Sequence, residues 1–175
     1  MSATVTAPVQ ATISPPRREV RAPQPYVAIR SDVTMAQLST HLPPLSPELL
    51  RWMTARGLAP SGPVFWRYLV IDMDALLTVE VGFPVAQPAT GDDRVTAGIL
   101  PGGTYVVTRH HGHPAGLEQA TGELLAWGER EAVDWDRHPE GAGEAWRSRI
   151  EWYLNDGDDD VPMADWDTEL AFLTR

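Results

Sequence analysis

Cysteine is absent from the sequence, which removes disulfide frameworks, thiolate nucleophiles and Cys-ligated zinc or iron–sulfur centres, and with them many enzyme classes. No run approaches the roughly eighteen apolar residues that a membrane-spanning helix needs. The opening Met1-Ser2-Ala3-Thr4-Val5 has neither the basic start nor the apolar stretch of an export signal. A soluble, cytoplasmic protein without a membrane partner is expected. No Gly-Lys-Ser/Thr phosphate loop, dinucleotide fingerprint or Gly-x-Ser-x-Gly elbow occurs, so nucleotide chemistry and serine hydrolysis have no support and no cofactor is expected. Positive charge is also scarce, 14 Lys and Arg against 24 Asp and Glu for a net −10. That balance repels a phosphate backbone, so direct nucleic-acid binding is not expected.

What is present fits one well-buried core: 175 residues, 43% hydrophobic and 22% charged. Seven tryptophans are many for this length and point to an aromatic core or cavity lining. Residues 1–22, rich in Pro, Ala, Ser, Thr and Val and containing Pro15-Pro16-Arg17-Arg18, have neither helical nor strand periodicity and read as a disordered tail. The ordered domain is expected over residues 23–175.

Within it, Tyr26-Val27-Ala28-Ile29-Arg30 reads as a strand. Leu42, Leu45, Leu49, Leu50, Trp52 and Met53 recur at helical spacing after Pro43-Pro44 and stop before Gly57. Val64 to Ile71 and Leu77 to Pro84 read as two strands of a hairpin turning at Asp72-Met73-Asp74. After a polar connection the order repeats. Tyr105-Val106-Val107-Thr108-Arg109 echoes the first strand, and Leu117, Leu124, Leu125 and Trp127 echo the helix. Trp152-Tyr153-Leu154 echoes Arg67-Tyr68-Leu69, and Thr168-Glu169-Leu170 echoes Val79-Glu80-Val81. The fold class is therefore α+β: a tandem β-α-β-β repeat whose antiparallel sheet carries two helices, with a ligand groove between the halves.

Alternation puts Glu80 on the strand face shared with Thr78 and Gly82, and Glu169 on the face shared with Ala171. A lone Glu on a strand most often faces water. With a hairpin centred near Asp74, however, Tyr68 lies across from Glu80, Trp66 across from Gly82, and Tyr153 near Glu169. Aromatic walls and a carboxylate around the space left by Gly82 and Ala171 suit flat, apolar, cationic molecules. His110-His111-Gly112-His113 lacks the i, i+4 pair of a helical zinc motif, so no metal is expected. Asp156-Gly157-Asp158-Asp159-Asp160 has its Gly too early for a calcium loop and reads as a solvated turn.

The order of segments, with Pro63-Val64-Phe65-Trp66-Arg67-Tyr68, Leu100-Pro101-Gly102-Gly103-Thr104-Tyr105, Gly112-His113 before a helix, Glu151-Trp152-Tyr153-Leu154 and Trp166-Asp167-Thr168-Glu169-Leu170, resembles the bacterial GyrI-like, SHS2-type effector-binding domains over residues 23–175. That resemblance implies a multidrug- or xenobiotic-binding protein in which an acidic residue matching Glu169 contacts cationic aromatic compounds. Tyr153, Tyr68 and Trp66 follow as ligand-binding residues, and Glu80 rests on the internal repeat. Relatives that act as transcription factors carry a DNA-binding domain before this one, so the resemblance here is to stand-alone members. Some of those hydrolyse the cyclopropane of DNA-alkylating antibiotics, and on that alternative Glu169 and Tyr153 would be catalytic. A third reading is a protein-binding modulator acting through the acidic Asp156–Asp160 loop.

Overall fold

The segment read as a strand at residues 26–30 belongs to a strand of ten residues within a single sheet that organises the chain. A computed structural model describes residues 11–155 and 160–175. In chain order the elements are β1 Thr12–Ile13, β2 Arg17–Arg21, β3 Gln24–Val33, α1 Leu38–His41, α2 Leu45–Ala55, β4 Phe65–Ile71, β5 Leu77–Pro84, β6 Thr96–Leu100 and β7 Gly103–His111. They continue with α3 Leu117–Arg130, β8 Arg137–Glu140, β9 Gly143–Trp146, β10 Arg149–Tyr153 and β11 Asp167–Leu173. The main helix starts after Pro43-Pro44, as read from sequence. It tolerates Pro47 in its first turn, where an amide has no intrahelical partner, and ends at Gly57, whose φ of 68° suits the left-handed cap.

Pairing is antiparallel in the order β1-β7-β11-β10-β4-β5-β3-β6, with β2 also on β7 and the β8–β9 hairpin joined to β4 through β9. The duplication is visible in register. Arg30 faces Glu80 and Ala28 faces Gly82 between β3 and β5, while Arg109 faces Glu169 and Val107 faces Ala171 between β7 and β11. Each half is thus a three-stranded β-α-β-β unit, and the two meet where β10 pairs with β4. The fold is the α+β duplication the sequence indicates, with the β8–β9 hairpin inserted in the second half.

Residues 11–22 depart from the expected disordered tail. Arg17–Arg21 pair with Gly103–Val107, and Thr12–Ile13 with His110–His111. The reason is the edge of β7, whose amides and carbonyls face away from β11 and gain a partner when this segment lies alongside. Pro15 and Pro16, which lack amide hydrogens, separate the two short strands.

The β4–β5 hairpin corrects a second expectation. Its turn does centre at Asp74, with Ile71 across from Leu77, but a bulge between Tyr68 and Val70 shifts the register by one residue. Beyond the bulge Arg67, not Tyr68, faces Glu80; Trp66 faces Val81; and Phe65 faces Gly82. In the second half Trp152, not Tyr153, faces Glu169. Because side chains alternate, this one-residue offset, which comes from the bulge in the first half and from an unbroken ladder in the second, puts both tyrosines on the opposite sheet face from both glutamates.

Both faces are packed. On one, α2 lies against β3 and β5 and α3 against β7, burying Ile29, Leu49, Met53, Val79, Val81, Leu124 and Phe172. On the other, Tyr26, Ala28, Phe65, Leu100 and Ile150 form one cluster and Tyr105, Val107, Ala171 and Leu173 a second, bridged by Trp152. The chain passes from β2 at one end of the sheet to β3 near the other through Ala22-Pro23 alone. The three steps from Arg21 to Gln24 span at most about 11 Å, so the sheet curls until its ends come close over this second face. The space expected beside Gly82 is filled from within. A Cβ there would stand 2.6 Å from the Phe65 ring and 2.7 Å from the Val27 carbonyl, and Phe65 is fully buried.

Candidate functional site

On the helix face, the seam strands β4 and β10 run between the regions that α2 and α3 cover. Alternation along β10 directs Arg149, Glu151 and Tyr153 to this face and Ile150 and Trp152 to the other. Glu151 lies directly across from Trp66. Its Oε2 accepts hydrogen bonds from the Tyr153 hydroxyl at 2.6 Å and the Tyr68 hydroxyl at 3.1 Å. Trp66 closes one side, its ring centroid 5.1 Å from that of Tyr153.

Glu151 is only 7% exposed. Burial pushes its carboxyl up from the ordinary carboxylate range, opposed by the Tyr153 hydrogen bond, the Arg149 charge and the Tyr68 hydrogen bond. Burial, reinforced by the Glu151 charge, pushes the Tyr68 phenol well up. Arg149 lies in the same face, its guanidinium carbon 4.8 Å from the Phe172 ring centroid, 5.2 Å from Trp146 and 5.7 Å from Tyr68. The result is a buried carboxyl with two phenols and a caged guanidinium, rimmed by indoles. Such a cluster can hydrogen-bond a ligand, stack on its rings, or pass a proton between carboxyl and phenol.

The opposite face holds the glutamates that the sequence singles out. Glu80 is fully buried and accepts from the Tyr26 hydroxyl at 2.9 Å and from Arg30 at 2.9 Å, with Arg67 at 3.4 Å. Burial and the Glu80 charge push the Tyr26 phenol up to about 12. Glu169 accepts from Arg21 at 2.6 Å, and that guanidinium also stands 5.8 Å above the Tyr105 ring. Beside them opens a cavity of about 650 Å³ into which Arg21, Arg67 and Arg147 project, with Pro23, Pro101 and Gly102 completing much of its wall. Among the described residues no carboxylate lines it.

The histidines go separate ways. His110 is buried, its basicity lowered mainly by burial; His111 Nδ1 lies 3.0 Å from Asp167; and His113 caps the turn before α3 by accepting from the Ala115 amide. Among the described residues no three His, Cys, Asp or Glu side chains are grouped to hold a metal. Asp156–Asp159 lie outside the described residues, so neither the solvated-turn reading nor the partner-binding reading of that loop is addressed.

A family profile for the GyrI-like small molecule binding domain matches residues 15–173. The chain belongs to the GyrI-like family. The match begins inside the segment expected as tail, in keeping with the pairing of β2. This GyrI-like chain superposes on the C-terminal domain of EcmrR with a TM-score of 0.67 at 20% identity, over 95% of its own length and 97% of that domain. Against EcmrR in a DNA complex the TM-score is 0.70 at 19% identity, covering 94% of this chain and 57% of the EcmrR chain, so it spans little more than half of that protein. SAV2435 bound to tetraphenylphosphonium matches with a TM-score of 0.59 at 11% identity, over 93% of this chain and 94% of that one. A hydrolase from Listeria innocua matches with a TM-score of 0.60 at 16% identity, over 91% of each chain. At these identities the likeness is one of fold. No protein of curated function matches the chain.

Of the residues singled out by sequence, the GyrI-like fold brings Tyr68, Tyr153 and Trp66 together and leaves Glu169 and Glu80 across the sheet. The carboxylate that meets the tyrosines is Glu151, and with Arg149 it was not singled out as a site residue. A signal for it was present: in Glu151-Trp152-Tyr153 the carboxylate stands two positions from the tyrosine, on the same strand face.

Proposed function

We propose that this GyrI-like chain binds amphipathic, aromatic small molecules of the xenobiotic type at the seam between its repeats. The observation that carries the reading is the buried Glu151 carboxyl held by the Tyr68 and Tyr153 hydroxyls at the junction of the two halves. Burying an ionisable carboxyl costs several kcal/mol, roughly, unless its partners compensate. An apolar residue would fill the same place at lower cost, so a functional role is favoured. Trp66 supplies a ring to stack on, and the phenols and carboxyl supply orienting polar groups, the composition of small-molecule sites in general. That SAV2435, of the same fold, is bound to tetraphenylphosphonium supports the accommodation of bulky aromatic compounds.

The test is titration of the full chain with a panel of aromatic dyes, followed by tryptophan fluorescence, alongside Glu151→Gln, Tyr68→Phe and Tyr153→Phe. Saturable binding weakened about tenfold or more by Glu151→Gln, the loss of one charge-assisted hydrogen bond, supports the site. No saturable binding, or affinities indifferent to all three changes, refutes it.

A second reading is favoured by one contact, the 2.6 Å hydrogen bond from Tyr153 to a carboxyl whose proton affinity burial has raised. That pair could serve general acid–base hydrolysis of a reactive xenobiotic, and a hydrolase from Listeria innocua shares the fold. Mass analysis of the recovered compounds separates the two. A water-added product released over many turnovers makes this an enzyme, and intact recovery makes it a binder.

A further inference from the structure

The seam site already contains a cation. Arg149 enters it from the strand that carries Glu151, two residues away and on the same face. Its side chain is 15% exposed and is caged by Phe172, Trp146 and Tyr68, the arrangement of rings that would otherwise receive a ligand cation. Among the described residues its guanidinium makes no hydrogen bond, and its nearest carboxylate oxygen, on Glu144, is 3.7 Å away. That carboxylate is already engaged by Arg137 at 2.9 Å and by the Trp146 indole N–H at 2.8 Å. Tyr68 links the two charges, with its ring beside the guanidinium and its hydroxyl on Glu151.

Two consequences follow from the chemistry of these groups. The Glu151 charge faces a fixed internal cation, so little of its attraction remains for a cationic ligand. A guanidinium carries five N–H donors and no acceptor, and a largely buried one without hydrogen bonds is best completed by an oxyanion or a carbonyl oxygen. The cavity on the other face is also lined by arginines, Arg21, Arg67 and Arg147, but these are paired with Glu169, Glu80 and Asp136.

Resting on the reading of the seam as a ligand site, we propose that Arg149 is its built-in counter-ion, so that the site selects aromatic molecules that are neutral or carry an anionic acceptor group over aromatic cations.

Tetraphenylborate and tetraphenylphosphonium share shape and ring count and differ in the sign of their charge. Each is titrated into the full chain, wild type, Arg149→Met and Arg149→Lys, with tryptophan fluorescence and calorimetry as readouts. The expected result is that the wild type binds the borate about tenfold or more tighter than the phosphonium, that Arg149→Met erases or reverses the ratio, and that Arg149→Lys keeps its sign. Phosphonium binding to the wild type as tight as or tighter than borate overturns the charge assignment while leaving the site intact. A ratio unchanged in Arg149→Met overturns it as well. If neither ion binds the wild type, the reading of the seam itself fails. The wild-type ratio needs no variant, and the lysine substitution keeps charge and stem should methionine unsettle the cage.

Discussion

Trp66 and Glu151 face one another across the ladder that joins the two repeats, so an indole and a buried carboxyl meet where β4 pairs with β10. Ligand recognition at the seam depends on that register, because it brings Tyr68 from the first half onto the carboxyl that Tyr153 holds from its own strand.

The titration of Glu151 gives a prediction with a definite sign. Its carboxyl pKa is raised in the folded state by burial, so the folded chain holds that proton more tightly than the unfolded chain. The resulting stabilisation is fully present below the unfolded value and is lost as pH rises through the folded one. Glu151→Gln removes this dependence. Thermal unfolding from acid to neutral pH is expected to show the variant gaining on the wild type as pH rises, and a constant difference would show that Glu151 titrates normally.

Tyr153→Phe removes a 2.6 Å hydrogen bond to a buried carboxyl and is expected to cost about 1.5–3 kcal/mol of stability, as for hydrogen bonds to charged groups. The same bond lowers the Glu151 pKa, so its loss raises that pKa further and moves any pH dependence of ligand binding toward alkaline pH. Tyr68→Phe combined with it should be non-additive, since both hydroxyls share one oxygen. Denaturant melts of the two single variants and the double variant measure the coupling.

Gly82→Ala places a methyl group 2.6 Å from the Phe65 ring and 2.7 Å from a backbone oxygen. A loss of roughly 1–3 kcal/mol is expected from overpacking, read as a lower urea midpoint at unchanged slope. Adding Phe65→Leu should recover part of it, because the ring is one of the two obstacles. Full stability in Gly82→Ala would mean that the space beside it is open after all.

Glu169→Gln distinguishes the residue that the sequence favoured from the one that the fold favours. Glu169 is bonded to Arg21 on the far face, so the substitution should cost roughly 1 kcal/mol of stability and leave aromatic-dye binding at the seam within about twofold, as for distant independent sites. A loss of dye binding comparable with that of Glu151→Gln returns Glu169 to the ligand site.

Deleting residues 11–21 uncovers the edge of β7 along Gly103–Val107 and His110–His111. Amide exchange in β7 should rise by at least about tenfold, accompanied by concentration-dependent association through the bared edge. Unchanged protection would mean that the pairing adds nothing to the sheet.

Most of the frame could be read in the sequence, because its signals are local or internally repeated. Strand alternation, the Leu-rich helix bounded by Pro43-Pro44 and Gly57, and the ordered echoes of one half in the other determined the α+β duplication. They also determined the matched places of Tyr68 and Tyr153, which the β4–β5 and β10–β11 ladders bear out by setting Tyr68 across from Val79 and Tyr153 across from Thr168, each the residue before the glutamate of its half. Alternation fixes which residues of one strand share a face, but leaves open how that face aligns with its neighbour. Only the tertiary structure decided that alignment. The bulge between Tyr68 and Val70, with Phe65 lying against the bare Gly82, shifts a strand by one residue. A shift of one residue in a period of two exchanges the partners of every side chain, taking Tyr68 from Glu80, and the β10–β4 ladder then brings Tyr68 to the Glu151 carboxyl that Tyr153 holds from its own strand.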